Sequence, residues 1–350
     1  MDPVTLCSTV LAIAFIGFII YYANQHAADV EMPTALRWML YLVIATNFML
    51  GLFTLQAAWV NNDPMFTEAL AEAGASFTIS LTDGIMSFVL ALVCSGMALL
   101  FVRMQPARAG LKRLLPAAGY NPAASVHTVA IVLTLFIIVA NFITFVLAGG
   151  IAGMASDLAT DGLEVGAVLF QQVLWIVVSL LGVGFAIRRD LPDTLSRLGL
   201  RLPTPGDMIS GVIMAIIGLV LVFVISTVWA LLVPPEEIAA QTAASDQIAQ
   251  AFDSLPLAFI IALAVAVGEE VFFRGALQPV FGNLLTSVFF AIVHTQYALT
   301  PATLAIFVVS LGFGWLRQRF STSSAIIAHF FFNFIQLALA LLASNLLGGF

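Results

Sequence analysis

The sequence predicts an all-α fold, a polytopic transmembrane helical bundle of about ten helices. Of the 350 residues, 61% are hydrophobic and only 9% are charged, whereas a soluble domain carries about 25% charged residues. The hydrophobic residues also fall in long runs, and about 20 consecutive apolar residues cross a bilayer as a helix that satisfies its own backbone hydrogen bonds. We therefore expect lipid, not water, around most of the chain.

Ten apolar runs define the predicted helices. Eight are long enough to span a membrane, and they cover residues 4–22, 36–60, 77–102, 127–148, 168–187, 208–233, 255–273 and 325–347. Two shorter runs, 284–299 and 301–316, lie between the last two. At 1.5 Å per residue each short run reaches only about 24 Å, so we expect these two either to span marginally or to bend into the protein.

The basic residues predict the orientation of the bundle. With the runs numbered in order, every Lys and Arg falls on one side of the predicted membrane: Arg37, Arg103, Arg108, Lys112, Arg113, Arg188, Arg189, Arg197, Arg201, Arg274, Arg317 and Arg319. The connections on the other side are acidic. By the positive-inside rule the basic side is cytoplasmic, which places both termini outside, and we expect the inner or plasma membrane of a bacterial cell. The net charge of -7 and the absence of a basic cluster argue against a nucleic-acid partner.

A short polar stretch divides the chain. Residues 188–206 (RRDLPDTLSRLGLRLPTPG) form a predicted cytoplasmic linker with prolines near both ends. It separates N-terminal transmembrane helices of unassigned role, residues 1–187, from a C-terminal transmembrane bundle, residues 207–350. The motifs described next lie in residues 255–347.

Six polar residues occupy positions in the C-terminal bundle where they are energetically costly. An ionisable group in hydrocarbon costs several kcal/mol and is by default a functional candidate. The six are Glu269, Glu270, Arg274, His294, His329 and Asn333. Counted along the predicted helices, Glu269, His294, His329 and Asn333 reach a similar depth, so we expect these four to meet.

Helical spacing separates the two carboxylates. Glu270 and Arg274 are four residues apart and share a helix face, so they can pair. Glu269 is turned by about 100° and is the freer carboxylate. A carboxylate with a histidine can activate water as a general base, and a second pair of donors can hold the oxyanion that attack on an amide creates. Glu269, His294 and His329 could instead complete a three-ligand zinc site.

Polar residues elsewhere in the apolar runs receive a simpler interpretation. Asn47, Gln171 and Gln172 are expected only to bond neighbouring helices. A purely structural polar network is also the alternative for the six residues of the C-terminal bundle.

Three patterns in this region resemble a known family. EExxxR (Glu269, Glu270, Arg274), FxxxH (Phe290, His294) and HxxxN (His329, Asn333), in that order on late membrane helices, are similar to the CPBP family of intramembrane proteases. That family includes type II CAAX prenyl endopeptidases and bacteriocin-processing or self-immunity proteins.

The resemblance implies an intramembrane endopeptidase with specific residue roles. Glu269 with His294 would activate the attacking water, His329 with Asn333 would stabilise the oxyanion, and Glu270 and Arg274 would organise the site. It also implies a glutamic mechanism without a cofactor, with zinc as the alternative. The expected partners are the lipid bilayer and a peptide or protein substrate in or at the membrane, of CAAX type or a leader peptide.

Two other classes of function remain open from the sequence. A proton-coupled transporter also places Glu, His and Arg inside a bundle, although the sequence shows none of the repeated halves typical of transporters. A catalytically inactive membrane chaperone or scaffold would have the same fold without the catalytic activity. The sequence leaves the substrate and the oligomeric state undetermined.

Overall fold

The computed structural model describes residues 3–27, 29, 31–63, 66, 79–162, 164–232, 254–294 and 301–347. These residues form helices and contain no β-strand, which confirms the predicted fold class. In chain order the helices are α1 (Pro3–Gln25), α2 (Thr34–Asn61), α3 (Leu81–Arg103), α4 (Gln105–Leu114), α5 (Ser125–Leu147), α6 (Gly150–Asp161), α7 (Val165–Val183), α8 (Leu191–Leu198), α9 (Pro205–Ala230), α10 (Leu255–Glu270), a π-helical segment (Val271–Leu277), α11 (Gln278–Val293), α12 (Pro301–Arg319) and α13 (Thr322–Leu347).

Each predicted apolar run forms a helix. Eight helical stretches in the described residues are long and apolar enough to cross a membrane. One of these stretches, Leu255–Val293, joins the seventh predicted run to the short run that follows it. The other short run forms α12, which ends in Arg317 and Arg319 and is not among the eight. Some positions used in the sequence analysis lie outside the described part of the chain. They are residues 77–78, 233 and 295–299 of the predicted runs, and the acidic residues at 68, 72, 236, 237, 246 and 253.

The chain folds into two compact units. The first contains Met1–Leu147 and Val178–Thr194, and the second contains Ala148–Val177 and Leu195–Phe350. One boundary follows the end of α5, one falls inside α7, and one falls inside α8, which forms within the predicted linker.

In the first unit, small residues let α2 and α3 pack closely. A Cβ atom added at Gly51 would lie 2.3 Å from the Ala91 Cβ, and one at Gly84 would lie 2.3 Å from the Ala58 Cβ. Close approach through small residues is a common way to join membrane helices, because lipid supplies no hydrophobic force between them. The buried Asn47 amide donates to the Ser95 hydroxyl at 3.1 Å, which matches the expected role of a scattered polar residue.

In the second unit, α9, α10 and α12 pack around α13. Helix α9 begins with a capping box, since Thr204 and Asp207 bond each other's backbone amides and Pro205 occupies the first turn. The buried Asp207 carboxylate also accepts hydrogen bonds from Ser321, just before α13, and from Arg201. These contacts fix where α9 and α13 start, and so set the level at which His329 lies.

Candidate active site

A fully buried ion pair lies at the centre of the second unit. Arg274 and Glu270 are each 0% exposed, and the arginine Nε donates to Glu270 Oε2 at 3.0 Å. The remaining guanidinium nitrogens reach the hydroxyls of Ser310 at 2.6 Å and Ser287 at 3.5 Å. A buried charge is tolerated when it is paired and its other donors are bonded, and these contacts meet both conditions.

His329 is bonded to the same carboxylate. Its Nδ1 lies 2.9 Å from Glu270 Oε1, and its ring stacks on Phe313 with centroids 5.3 Å apart. Because Glu270 is paired with Arg274 and accepts hydrogen bonds, Nδ1 carries the proton of this bond. The Glu270 carboxylate thus bridges Arg274 and His329 and holds the imidazole in one orientation, a contact that helical spacing alone does not predict.

The second carboxylate, Glu269, faces His294. The Glu269 Oε2 and His294 Nε2 atoms are 3.7 Å apart, with side-chain exposures of 14% and 17%. The His294 Nδ1 lies 2.6 Å from the backbone carbonyl of Phe290. A carbonyl only accepts hydrogen bonds, so Nδ1 is the donor and Nε2 is the atom presented to the carboxylate.

Two irregularities in the backbone bring these groups together. The π-segment continues α10 through Arg274, and Arg197 donates to its carbonyls at Gly275 (3.0 Å) and Ala276 (3.4 Å). Further on, Gly282 has φ 78° and ψ 169°, a conformation that is essentially restricted to glycine. The chain changes direction there. A straight helix would separate Glu269 and His294 by about 37 Å, so this turn is what allows them to meet.

A cavity of about 340 Å³ connects the predicted catalytic residues. Glu269, His294, His329 and Asn333 all line its wall. Among the described residues, Glu270 and Arg274 are not part of this wall and lie behind it. The structure therefore separates the six predicted residues into four that a ligand can touch and two that support them.

The rest of the wall is uncharged. In the described part of the chain, Glu269 is the only Asp or Glu that lines the cavity, and no Lys or Arg does so. The other polar lining residues are Gln171 and Gln172 of α7, Ser226 of α9 and Gln336 of α13. None of these was predicted as a site residue, since a single amide or hydroxyl in an apolar run carries no motif and also fits a helix–helix contact.

The alternative zinc ligands do not form a cluster. Among the described residues, no group of three or more His, Cys, Asp or Glu side chains is arranged to hold a metal ion. His329 directs Nδ1 at Glu270, while Glu269 faces His294. Among the described residues, Glu269, His294 and His329 are thus held in two separate pairs and are not drawn into one ligand cluster.

Comparison with known proteins identifies one family over this region. Residues 251–335 match the family model described as type II CAAX prenyl endopeptidase Rce1-like. The match confirms the resemblance to the CPBP and CAAX protease family that the three motifs predicted, and it contains all six predicted site residues. No curated protein and no solved structure matches the chain.

Proposed function

We propose that this chain, whose residues 251–335 match the Rce1-like type II CAAX prenyl endopeptidases, hydrolyses a peptide bond in a membrane-associated peptide. The observation that carries the proposal is the composition of the cavity wall. The Glu269 carboxylate, two imidazoles and the Asn333 amide line one cavity. The buried Glu270–Arg274 ion pair holds one of these imidazoles, His329, through a hydrogen bond on the side away from the cavity. This is the set of groups that hydrolysis of an amide requires.

Glu269 and His294 activate the attacking water. The 3.7 Å separation of their facing atoms exceeds a direct hydrogen bond, and a water molecule can contact both. Glu269 takes one proton as the water oxygen attacks the scissile carbonyl carbon. The same proton is then available for the nitrogen of the leaving peptide, so atoms and charge balance over the reaction.

His329 and Asn333 stabilise the oxyanion that forms on the carbonyl oxygen. Both lie on α13, four residues apart, and both line the cavity. The Glu270 carboxylate holds His329 at Nδ1, which leaves Nε2 as the ring nitrogen that can face a substrate. Donors fixed before the reaction stabilise developing negative charge without having to reorganise.

The uncharged wall favours an uncharged substrate segment. A charged side chain entering the cavity would lose its hydration without finding a partner of opposite sign other than Glu269. The aliphatic residues of a CAAX-type peptide and a hydrophobic leader both fit this chemistry, and the experiment must offer both peptides.

Cleavage of a peptide library by the purified full chain tests the proposal. The substrates are internally quenched fluorogenic peptides, with and without a prenylated C-terminal cysteine. We expect cleavage by the wild type and a loss of at least about 100-fold in Glu269→Gln and His294→Ala. Glu164→Gln, which alters an exposed carboxylate outside the cavity, is the matched control and should retain the wild-type rate.

The same assay tests the metal alternative. We expect a zinc chelator to leave the rate unchanged, because the ligand set does not cluster. Chelator-sensitive cleavage that zinc restores would replace the glutamic mechanism with a metal-dependent one. A wild type that cleaves no peptide while proteoliposomes move protons in a Glu269-dependent way would favour a transporter instead.

A further inference from the structure

Gln172 contributes a buried amide to the cavity from outside the region that matches the family. It lies in the middle of α7, is 4% exposed, and lines the cavity together with Glu269. The family match begins at residue 251. Neither the three motifs nor the family match therefore assigns this residue a role.

The amide is held directly against the residue that precedes Glu269. A Cβ atom added at Gly268 would lie 2.5 Å from Gln172 Oε1, 2.9 Å from its Cβ and 3.0 Å from its Cα. Real Cβ atoms essentially never come within 3.0 Å of another atom, as this one would with Gln172 Oε1 and Cβ, so the close packing of α7 here depends on glycine at residue 268. Trp175, one turn further along α7, packs on Phe272 with ring centroids 4.4 Å apart, which holds the same contact from a second point.

Two buried acceptors at the cavity have no donor among the described residues. Gln172 Oε1 and Glu269 Oε2 are both buried, and neither has a hydrogen-bond partner in this part of the protein. A buried acceptor without a donor is costly, and native proteins retain few of them. The expected role of Gln172, a hydrogen bond to a neighbouring helix, is therefore not what its carbonyl oxygen does.

We infer that Gln172 is a positioning residue that accepts one hydrogen bond from the attacking water while Glu269 accepts the other. The water then directs one O–H at Gln172 and one at the carboxylate, while His294, as the imidazolium, donates from Nε2 to one of its lone pairs. The other lone pair is left for the scissile carbonyl carbon. Only the proton on the Glu269 side is transferred, and the bond to Gln172 orients the oxygen without breaking. This inference rests on the proposed function.

Kinetics and thermal stability of Gln172→Met in the full chain test the inference. Methionine keeps the length of the side chain and removes the acceptor. On the quenched peptide that the wild type cleaves, we expect kcat to fall on the order of 100-fold, since a misplaced nucleophile costs about that much, with KM within twofold. Because no hydrogen bond to another described residue is lost, the midpoint of thermal unfolding should not fall. Val173→Ala, an exposed neighbour on α7, should leave both quantities unchanged.

Each other result has a distinct meaning. A Gln172→Met variant with wild-type kcat overturns the inference and leaves the proposed protease intact. A variant whose unfolding midpoint and kcat both fall shows a structural amide, which also overturns the inference. If the wild type itself cleaves nothing, the proposed function fails. In that case a lower unfolding midpoint in Gln172→Met would still show that the Gln172 amide has a hydrogen-bond partner within the protein, which overturns the inference without any activity measurement.

Discussion

Glu269 and Glu270 are adjacent in the sequence and have different surroundings. Glu270 is fully buried and bonded to Arg274 and His329, whereas Glu269 lines the cavity and faces His294 across 3.7 Å. A carboxylate whose oxygens are already bonded to a guanidinium and an imidazole has little capacity left for a substrate. Glu270 therefore supports the site, and Glu269 is the carboxylate that we propose takes part in the reaction.

Replacing each glutamate by glutamine should separate these two roles. Glu270→Gln leaves the Arg274 charge buried without the opposite charge that pairs with it, which costs about 3–5 kcal/mol, so the midpoint of thermal unfolding in detergent should fall clearly. Glu269→Gln breaks no hydrogen bond to another described residue and should unfold like the wild type while losing activity. A Glu270→Gln protein as stable as the wild type would show that the ion pair does not hold the site together.

Residue spacing predicted part of this arrangement. The i, i+4 relation gave the Glu270–Arg274 pair and left Glu269 free, and the structure places both as expected. The bond from His329 to Glu270 was not predicted, because it joins residues 59 positions apart on separate helices. Gln172 was missed for a similar reason, since its position depends on how α7 packs against Gly268.

At the scale of elements, the stretch from α10 to α11 determines the geometry of the site. The sequence predicts helices over residues 255–273 and 284–299, and the structure contains helix in the described part of both. The π-segment was not predicted, because a widened helical turn leaves no signal in hydrophobic periodicity. Gly282 lies between the predicted runs 255–273 and 284–299, so a break there agrees with the sequence, but the run boundaries do not identify the residue at which the chain turns.

Gly282→Ala should disturb the site although Gly282 does not line the cavity. The φ of 78° at this position costs a residue with a Cβ about 1–3 kcal/mol, and relief of that strain would move α11 and with it His294. We expect a lower unfolding midpoint and reduced cleavage. Gly110→Ala is the control, because a Cβ at Gly110 of α4 meets no atom within 4 Å. Equal effects of the two substitutions would contradict the role of the turn.

At the scale of the whole molecule, the exposed surface is apolar along the spanning helices. Large side chains such as Trp38, Phe53, Phe223 and Ile213 are more than half exposed, which in water would be an aggregation hazard and in lipid is ordinary. The composition alone predicted this property, and the eight helical stretches account for it. One boundary between the compact units falls inside the residues predicted as a linker, whereas the boundaries after Leu147 and after Val177 depend on packing and were not predicted.

The distribution of basic residues makes a topology prediction for the whole chain. In a variant that lacks Cys7 and Cys94, the only cysteines, a cysteine at position 164 should react with a membrane-impermeant maleimide in intact cells. A cysteine at position 113 should react only after permeabilisation, because the positive-inside rule predicts that the basic connections are cytoplasmic. Both native residues, Glu164 and Arg113, are exposed. The reverse labelling pattern would invert the orientation.

The most direct test of the account follows the oxygen of the attacking water. A peptide that the purified wild type cleaves is incubated in water enriched in ¹⁸O, and mass spectrometry determines the products of the wild type and of Glu269→Gln. We predict two fragments from the wild type, with ¹⁸O in the new carboxyl terminus, and intact peptide from Glu269→Gln. Cleavage by Glu269→Gln at the wild-type rate would contradict the claim that Glu269 activates water in this cavity.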